Sequence, residues 1–374
     1  MTTKSRLALL STLASTPVFA APFLAIGDNA ELFLTARTEA RYEDNITFSP
    51  DNVALEDEVF EFAPGFDLVY GKNSLVKGSL SVYERFIAYS DHNVFNEELF
   101  NGVFTSNYEG AKFQGGLNAS FKELNQNNRD ANLDDRLVRS DSTDVSAKGE
   151  VAVTEKSKIG GGLVYNNTDY KIAGFVDRET YSLPVNYYFA ITEKVDLSAG
   201  VQYRINDTDV ANGDADEVFY NVGARGQFTP KLSGSFSVGY ATRDPDVGDD
   251  NSTLGLDAGF DYAYSPKTTF TLNLSNDFET SSVGIGQEIA AISAGVRSAL
   301  TASLTASANV GYQMIDYLGI NREDDYVTGS IGLTYGVNEY LSVDATYNYL
   351  DNSTDDALSE FTANIISIAA NIRY

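Results

Sequence analysis

Along most of this chain, apolar and polar residues alternate one for one. In Val195-Asp196-Leu197-Ser198-Ala199-Gly200-Val201-Gln202-Tyr203-Arg204-Ile205 the odd positions are apolar and the even ones polar or tiny. That is the period-2 signature of a strand with two unlike faces. From Leu341 to Tyr349 the pattern repeats, with Leu341, Val343, Ala345, Tyr347 and Tyr349 on one face and Ser342, Asp344, Thr346 and Asn348 on the other. Leu254 to Tyr264, Phe270 to Phe278 and Ile366 to Tyr374 follow the same scheme, and no helical period intervenes. A water-soluble chain would have to bury every apolar face in packed layers. Sheets of that size tend to split or to divide into domains, and no linker marks such a division. Lipid against one face and water against the other satisfies the pattern directly. The fold class expected is therefore all-β, a transmembrane antiparallel up-and-down β-barrel.

Turn signals divide the chain in a second rhythm. Short breaks fall at Gly71-Lys72-Asn73, Glu109-Gly110-Ala111, Thr154-Glu155-Lys156-Ser157, Thr192-Glu193-Lys194, Thr229-Pro230-Lys231, Ser265-Pro266-Lys267, Leu300-Thr301 and Gly336-Val337-Asn338-Glu339. Longer Asp- and Asn-rich loops alternate with them, near 45–56, 90–97, 124–143, 171–177, 207–216, 244–251, 279–284, 317–325 and 351–359. Short periplasmic turns on one rim and longer acidic extracellular loops on the other are the outer-membrane barrel pattern. About 18 strands are expected, with 16 as the alternative. They begin near 31, 57, 73, 99, 112, 144, 158, 178, 195, 217, 231, 253, 268, 286, 302, 326, 340 and 361. Alternation breaks around Tyr83, Glu84 and Arg85, so a bulge or shifted register is expected there.

At the N-terminus, Lys4 and Arg6 precede an apolar stretch from Leu7 to Ala14, and Val18-Phe19-Ala20 gives a small-residue exit before Ala21. This is the grammar of a secretory signal peptide. The division expected is a signal peptide over 1–20 and an outer-membrane barrel over 21–374, with a site after Leu24-Ala25 as the weaker cleavage choice. There are no cysteines, hence no lipid-attachment cysteine, disulfide or thiolate metal site. The net charge of −27 comes from 26 basic and 53 acidic residues, which argues against nucleic acid as a partner. Acidity of that degree can signal disorder, but the 23 Tyr and 22 Phe oppose that reading.

Aromatic placement agrees with lipid. Tyr203, Tyr240, Tyr312 and Tyr349 fall near the outer ends of their strands; Phe189, Phe228, Tyr264, Tyr335 and Tyr374 fall near the periplasmic ends. Two interfacial girdles follow. Ile366, Ile368, Ala370, Ile372 and Tyr374 alternate to the last residue. Among them Ile368, Ile372 and Tyr374 resemble the terminal strand that the outer-membrane barrel assembly machinery recognises.

The polar face would line the lumen. By parity it receives Arg37, Glu39, Arg41, Glu43, Glu61, Asp67, Lys148, Glu150, Arg204, Arg225, Arg243, Asp257, Asp261, Asp277, Arg297, Asp344 and Arg373. An Arg or Lys aimed at the hydrocarbon midplane costs about 2–4 kcal/mol, which decides the orientation. A lining of both signs would orient polar solutes, while arginine–carboxylate pairs could equally brace the wall. Eighteen strands enclose an aqueous channel unless something fills it. The loop 124–143 carries Arg129, Asp130, Asp134, Asp135, Arg136 and Arg139 and is a candidate constriction by analogy with the third loop of classical porins, an ordinary outward loop being the alternative. Catalysis is not expected: His92 is the single histidine, and no Gly-x-Ser-x-Gly accompanies it. Asp207, Asp209, Asp214, Asp216 and Glu217 crowd one loop, but their spacing misses an EF-hand register by one position, so a solvated rim is expected rather than a metal site. No cofactor is implied.

The segment Ala36-Arg37-Thr38-Glu39-Ala40-Arg41-Tyr42-Glu43-Asp44-Asn45-Ile46, an opening strand closing on Tyr-x-Asp-Asn-Ile, resembles the bacterial beta-barrel porin-2 family. The resemblance implies an outer-membrane barrel, some relatives being linked to exopolysaccharide export. Asp44 and Asn45 can also turn the chain by bonding nearby backbone, and that structural role is preferred. The function expected is a passive aqueous channel for polar solutes or saccharides. The alternatives are a conduit for exopolysaccharide export and a structural or adhesive surface barrel without transport. Expected partners are outer-membrane lipid, lipopolysaccharide, the assembly machinery and polysaccharide-export components.

Overall fold

The computed structural model describes residues 21–130, 136–210 and 213–374; the expected leader over 1–20, with Asp134 and Asp135, lies outside them. A short strand β1 (Leu24–Ile26) precedes β2 (Ala30–Glu43), β3 (Asp57–Tyr70), β4 (Val76–Tyr89), β5 (Glu97–Glu109) and β6 (Phe113–Gln126). Then come β7 (Val138–Ala152), β8 (Ser157–Tyr170), β9 (Arg178–Ala190), β10 (Val195–Thr208), β11 (Ala215–Gln227) and β12 (Leu232–Pro245). The chain ends with β13 (Asn251–Ser265), β14 (Thr268–Thr280), β15 (Gly286–Ala299), β16 (Leu304–Tyr317), β17 (Glu323–Gly336), β18 (Leu341–Thr354) and β19 (Phe361–Arg373). Each of β2–β19 pairs antiparallel with its sequence neighbour, and β19 pairs with β2, closing eighteen strands into a barrel. Strands of about fourteen residues outspan a hydrocarbon core of roughly 30 Å even when tilted.

The seam is completed beyond the end of β19. Tyr374 exchanges backbone hydrogen bonds with Leu34 at 2.6 and 2.9 Å, and further along β2 the edge is taken up by β1, with Leu24 opposite Leu32. Tyr374 lies among the rings of Tyr340 and Phe23, at 5.5 and 6.3 Å.

Apolar residues face outward around the ring. Val222 and Leu254 are 60% and 68% exposed on the face that the fold turns to lipid. The tyrosines of the outer girdle anchor on carboxylates: Tyr42 donates to Glu56 at 2.5 Å, Tyr181 to Glu179 at 2.9 Å, and Tyr312 to Asp325. The shifted register expected at Tyr83–Arg85 is absent, and β4 keeps one register with both neighbours. Glu84 simply occupies an outward position, while Tyr83 and Arg85 point inward. The irregularity lies across the ladder, where Ala63 and Pro64 of β3 skip their pairing because proline has no N–H to donate.

Inside, the outer half of the barrel holds two apolar clusters. One joins Ile46, Val59, Ile87, Tyr89, Phe95, Leu99 and Leu137. The other joins Ile315, Tyr317, Tyr326, Leu350, Phe361 and Ala363, with Phe48 and Ile365 against it. The first outer loop, 44–56, supplies Ile46 to one and Phe48 to the other, so it is folded into the barrel. The Tyr-x-Asp-Asn-Ile block is its latch. Asp44 accepts the backbone and side-chain N–H groups of Asn364 on β19 at 2.6 and 2.7 Å. Asn45, 2% exposed, donates to the carbonyls of Ser49 at 2.7 Å and Thr362 at 3.0 Å and accepts from the Ser49 N–H at 3.0 Å. Phe48 takes a left-handed backbone, φ 54°, and stacks on Phe361 at 4.4 Å. Strain of that kind persists only where surrounding contacts hold it.

Two outcomes are expected. Val201→Arg, outward near the middle of β10, should destabilise the barrel by about 2–4 kcal/mol, while the neighbouring lumen substitution Gln202→Arg should cost far less, as read by denaturant unfolding in lipid vesicles. Asn45→Ala leaves buried partners unpaired at about 1–3 kcal/mol each. It should expose the 44–56 loop to protease while the barrel keeps its heat-modifiable migration in gels.

Candidate functional site: the barrel lumen

Cross-strand register carries one parity per strand around the ring, and contacts between non-neighbouring strands identify the inner face. Arg225 of β11 reaches Glu150 of β7 at 2.6 Å, and Arg204 of β10 reaches Asp277 of β14 at 2.5 Å. On that face lie Arg37, Arg41, Lys148, Glu150, Arg204, Arg225, Arg243, Asp257, Asp261, Asp277, Arg297, Asp344 and Arg373. They do not form one constellation but separate groups at different places on the wall.

Most of the cations are neutralised in place. Over β2–β4, Arg41 contacts Glu61 at 3.3 Å and pairs with Glu43, while Arg85 holds Glu61 at 2.7 and 2.9 Å. Arg37 donates to Asn371 at 2.9 Å and sits 3.5 Å from Asp344. Arg373 meets Asp67 at 3.3 Å and covers the Phe33 ring at 3.9 Å. Across the lumen, Arg225 lies 3.4 Å over the Tyr188 ring and bridges Glu150 to Asp196, which Lys158 approaches at 3.2 Å. Arg204 holds Glu217 at 3.0 Å, and Arg243 pairs with the same carboxylate. Glu217, which the sequence pattern assigns to the acidic 207–216 loop region, is instead an inward residue of β11, 3% exposed. Among exposed charges such pairs contribute little; here, half-buried and bidentate, they fix side chains that would otherwise fill the passage.

The third outer loop occupies 127–137 and not 124–143, because β6 and β7 run on to Gln126 and back from Val138. Above the lipid their outward face need not be apolar, so alternation of hydropathy ends before the hydrogen-bonded hairpin does. Arg139 consequently belongs to β7. It faces the outside of the barrel and pairs with Glu123 at 3.2 Å and Glu97 at 3.5 Å. Arg136 is at the exposed end of the loop. Arg129 and Asp130 go the other way, across the lumen. Arg129 donates to Gln313 of β16 at 3.0 Å and lies 5.0 Å over Tyr326 of β17. Asp130 accepts from the Ser282 N–H at 2.8 Å, Tyr317 at 3.1 Å and Gln287 at 3.3 Å, and its carbonyl accepts from Arg322 at 2.8 Å. Asn128 accepts from the Ser282 hydroxyl at 2.9 Å. Burial pushes the Asp130 carboxyl up, but the Arg129 guanidinium, the Ser282 N–H, the Gln287 amide and Arg178 together outweigh it and hold it below the ordinary carboxylate range.

Two cavities stand out among the described residues. An outer one of about 1130 Å³ borders the inward loops and is lined by Arg85, Lys122, Arg204 and Asp277 beside Ile87 and Leu124. An inner one of about 670 Å³ opens near the Thr229-Pro230-Lys231 turn and is lined by hydroxyl and amide side chains beside apolar ones such as Leu232 and Val296. Asn348 borders both. His92 stands away from either, in the turn after β4, with its Nδ1 2.9 Å from Asp57. Among the described residues no group of three or more His, Cys, Asp or Glu is placed to hold a metal ion. Parity alone could have added Arg85, Lys158 and Asp196 to the lining; no local signal tied Arg322 or Gln287 to Asp130. Ile368, Ile372 and Tyr374 all face outward on β19 and its continuation.

The beta-barrel porin 2 family model matches residues 212–374, and the Gram-negative porin model matches residues 56–282. A search of curated proteins finds no match. Among solved structures, OccK2 (OpdF) of Pseudomonas aeruginosa aligns with a TM-score of 0.51 at 10% identity, over 92% of this chain and 97% of that one. A BenF-like porin of Pseudomonas fluorescens Pf-5 aligns with a TM-score of 0.50 at 10% identity, over 92% and 99%. At such identity the likeness is one of fold. With its closed eighteen-stranded barrel and a family match over more than half its length, the chain belongs to the Gram-negative porin family of the outer membrane.

Proposed function

We propose that this barrel is a passive, water-filled channel for small polar solutes, with the third outer loop setting the width of the passage. The observation that carries this reading is the seat of Arg129 and Asp130 against β15–β17, half-way round the ring from the β6–β7 hairpin that sends them. A loop tied across the lumen leaves room for small molecules and obstructs a polymer, which favours diffusion over export of polysaccharide. The braced lining supports the same reading: charges of both signs, locked in pairs, act on a passing solute as fixed dipoles. Nothing in the reading requires catalysis. The outward alternating terminal strand, Ile368, Ile372 and Tyr374, serves assembly and not permeation.

Planar-bilayer recording of the purified protein tests this. Wild type should show a stable open conductance; a silent barrel would leave a structural or adhesive role. Asp130→Ala and Arg322→Ala each strand buried loop partners at about 1–3 kcal/mol and should give a larger, noisier conductance; an unchanged conductance would remove the loop from the passage. The pH dependence follows from Asp130. A carboxyl held below its usual value of about 3.9 contributes its full tether above that value and loses it as pH falls through the lowered one. Conductance should therefore stay level from neutral pH to about pH 4 and rise only below it, with the acid rise absent in Asp130→Ala.

A further inference from the structure

Arg297 of β15 stands apart from the other inward arginines. Among the described residues Arg37, Arg41, Arg85, Arg178, Arg204, Arg225, Arg243 and Arg373 each hold an ion pair or hydrogen bond, whereas Arg297 makes neither. Asp261 of β13, also inward, likewise makes neither. Both line the inner cavity of about 670 Å³. Register separates them: Asp261 lies opposite Thr271 and Arg297 opposite Thr269, so β14 runs between them with two inward hydroxyls. Two strand spacings set the backbones roughly 10 Å apart, and neither side chain closes that gap, although Lys158 and Asp196 close one like it across β9. Asn309 and Asn348 complete a wall of neutral donors and acceptors.

We infer that the inner cavity is a binding subsite for zwitterionic solutes of short-peptide size, the ammonium end held by Asp261 and the carboxylate end by Arg297. An anion of one charge is attracted by Arg297 and repelled by Asp261, and a cation the reverse. A neutral solute gains hydrogen bonds but no Coulomb term from either. A zwitterion with its charges several ångströms apart gains at both ends. Along its length the Thr269 and Thr271 hydroxyls and the two asparagine amides match a peptide unit, which has one donor and one acceptor to satisfy. The unpaired state of both charges favours this over a bracing role, since a brace would have been closed like Arg204–Glu217 and Arg225–Glu150. The inference specifies a solute for the proposed channel and rests on that reading for transport, though not for binding.

The experiment uses the whole purified protein and three probes at neutral pH: glycylglycine, N-acetylglycine as the anion-only analogue and glycinamide as the cation-only one. In bilayers, glycylglycine added from the Lys231 side should reduce the current at concentrations about fivefold lower than either analogue, the gain of one extra partly exposed ion pair. Asp261→Asn and Arg297→Gln should each abolish that preference, measured against each variant's own conductance in plain salt; Arg297→Lys, which keeps the charge, should retain most of it. Heat-modifiable gel migration establishes that each variant is folded. Calorimetry of the detergent-solubilised protein with the same probes reads binding without conduction. A silent barrel that still prefers glycylglycine by calorimetry would sink the channel and keep the subsite. Equal response to all three probes, or a preference unchanged in both charge-removing variants, would overturn the subsite and leave the channel standing.

Discussion

In a bilayer no water waits to satisfy a stranded amide, and each backbone group left without a partner costs several kcal/mol. The pairing of β19 with β2, and its extension through Tyr374 and β1, is thus the contact on which the rest depends. Once the ring is closed, its curvature assigns one face of every strand to lipid and the other to an enclosed space. The outward Leu, Val and Tyr stripes, the inward charges and the two aromatic rims are consequences of that single closure. The β3–β4 ladder skips Ala63 and Pro64 without a shift of register, because the pairs on either side hold the strands together.

The enclosed space is not a bare pipe. Its outer half contains apolar side chains at inward positions, Val59, Ile87, Leu99, Ile315 and Leu350, where a water-filled lumen would favour polar ones. They serve as receptors for loops: Ile46 and Phe48 from the first, Leu137 from the third. Burying apolar surface there contributes roughly 25 cal/mol per Å², and the hydrogen bonds of Asp44, Asn45 and Asp130 make the placement specific. The Tyr-x-Asp-Asn-Ile block sits at the closing seam itself, so the device that turns the first loop inward also ties β2 to β19. Charge is handled differently at different places on the wall. Most inward arginines are clamped by carboxylates, Arg225 and Arg373 near the inner rim included, whereas Asp261 and Arg297 stay open to whatever enters the inner cavity.

The barrel and its strand count were legible in the alternation, because a period of two is local and lipid enforces it residue by residue. Even the seemingly irregular Tyr83-Glu84-Arg85 obeyed it. The signal weakened where lipid stops acting. The β6–β7 hairpin runs on above the membrane with Ser140, Asp141 and Ser142 on its strands, so its length was underestimated and Arg139 was assigned to a loop. Glu217 was misplaced for the same reason.

What tertiary structure alone decided is the contents of the barrel. Asp130 meets Ser282, Gln287, Tyr317 and Arg322 at separations of more than 150 residues along the chain, and no periodicity spans that distance. Which arginines are paired and which are left open depends on the shear of the ring, since Arg204 meets Asp277 four strands away only through the curvature of the wall. Alternation determines which way a side chain points. What it meets there is settled by closure.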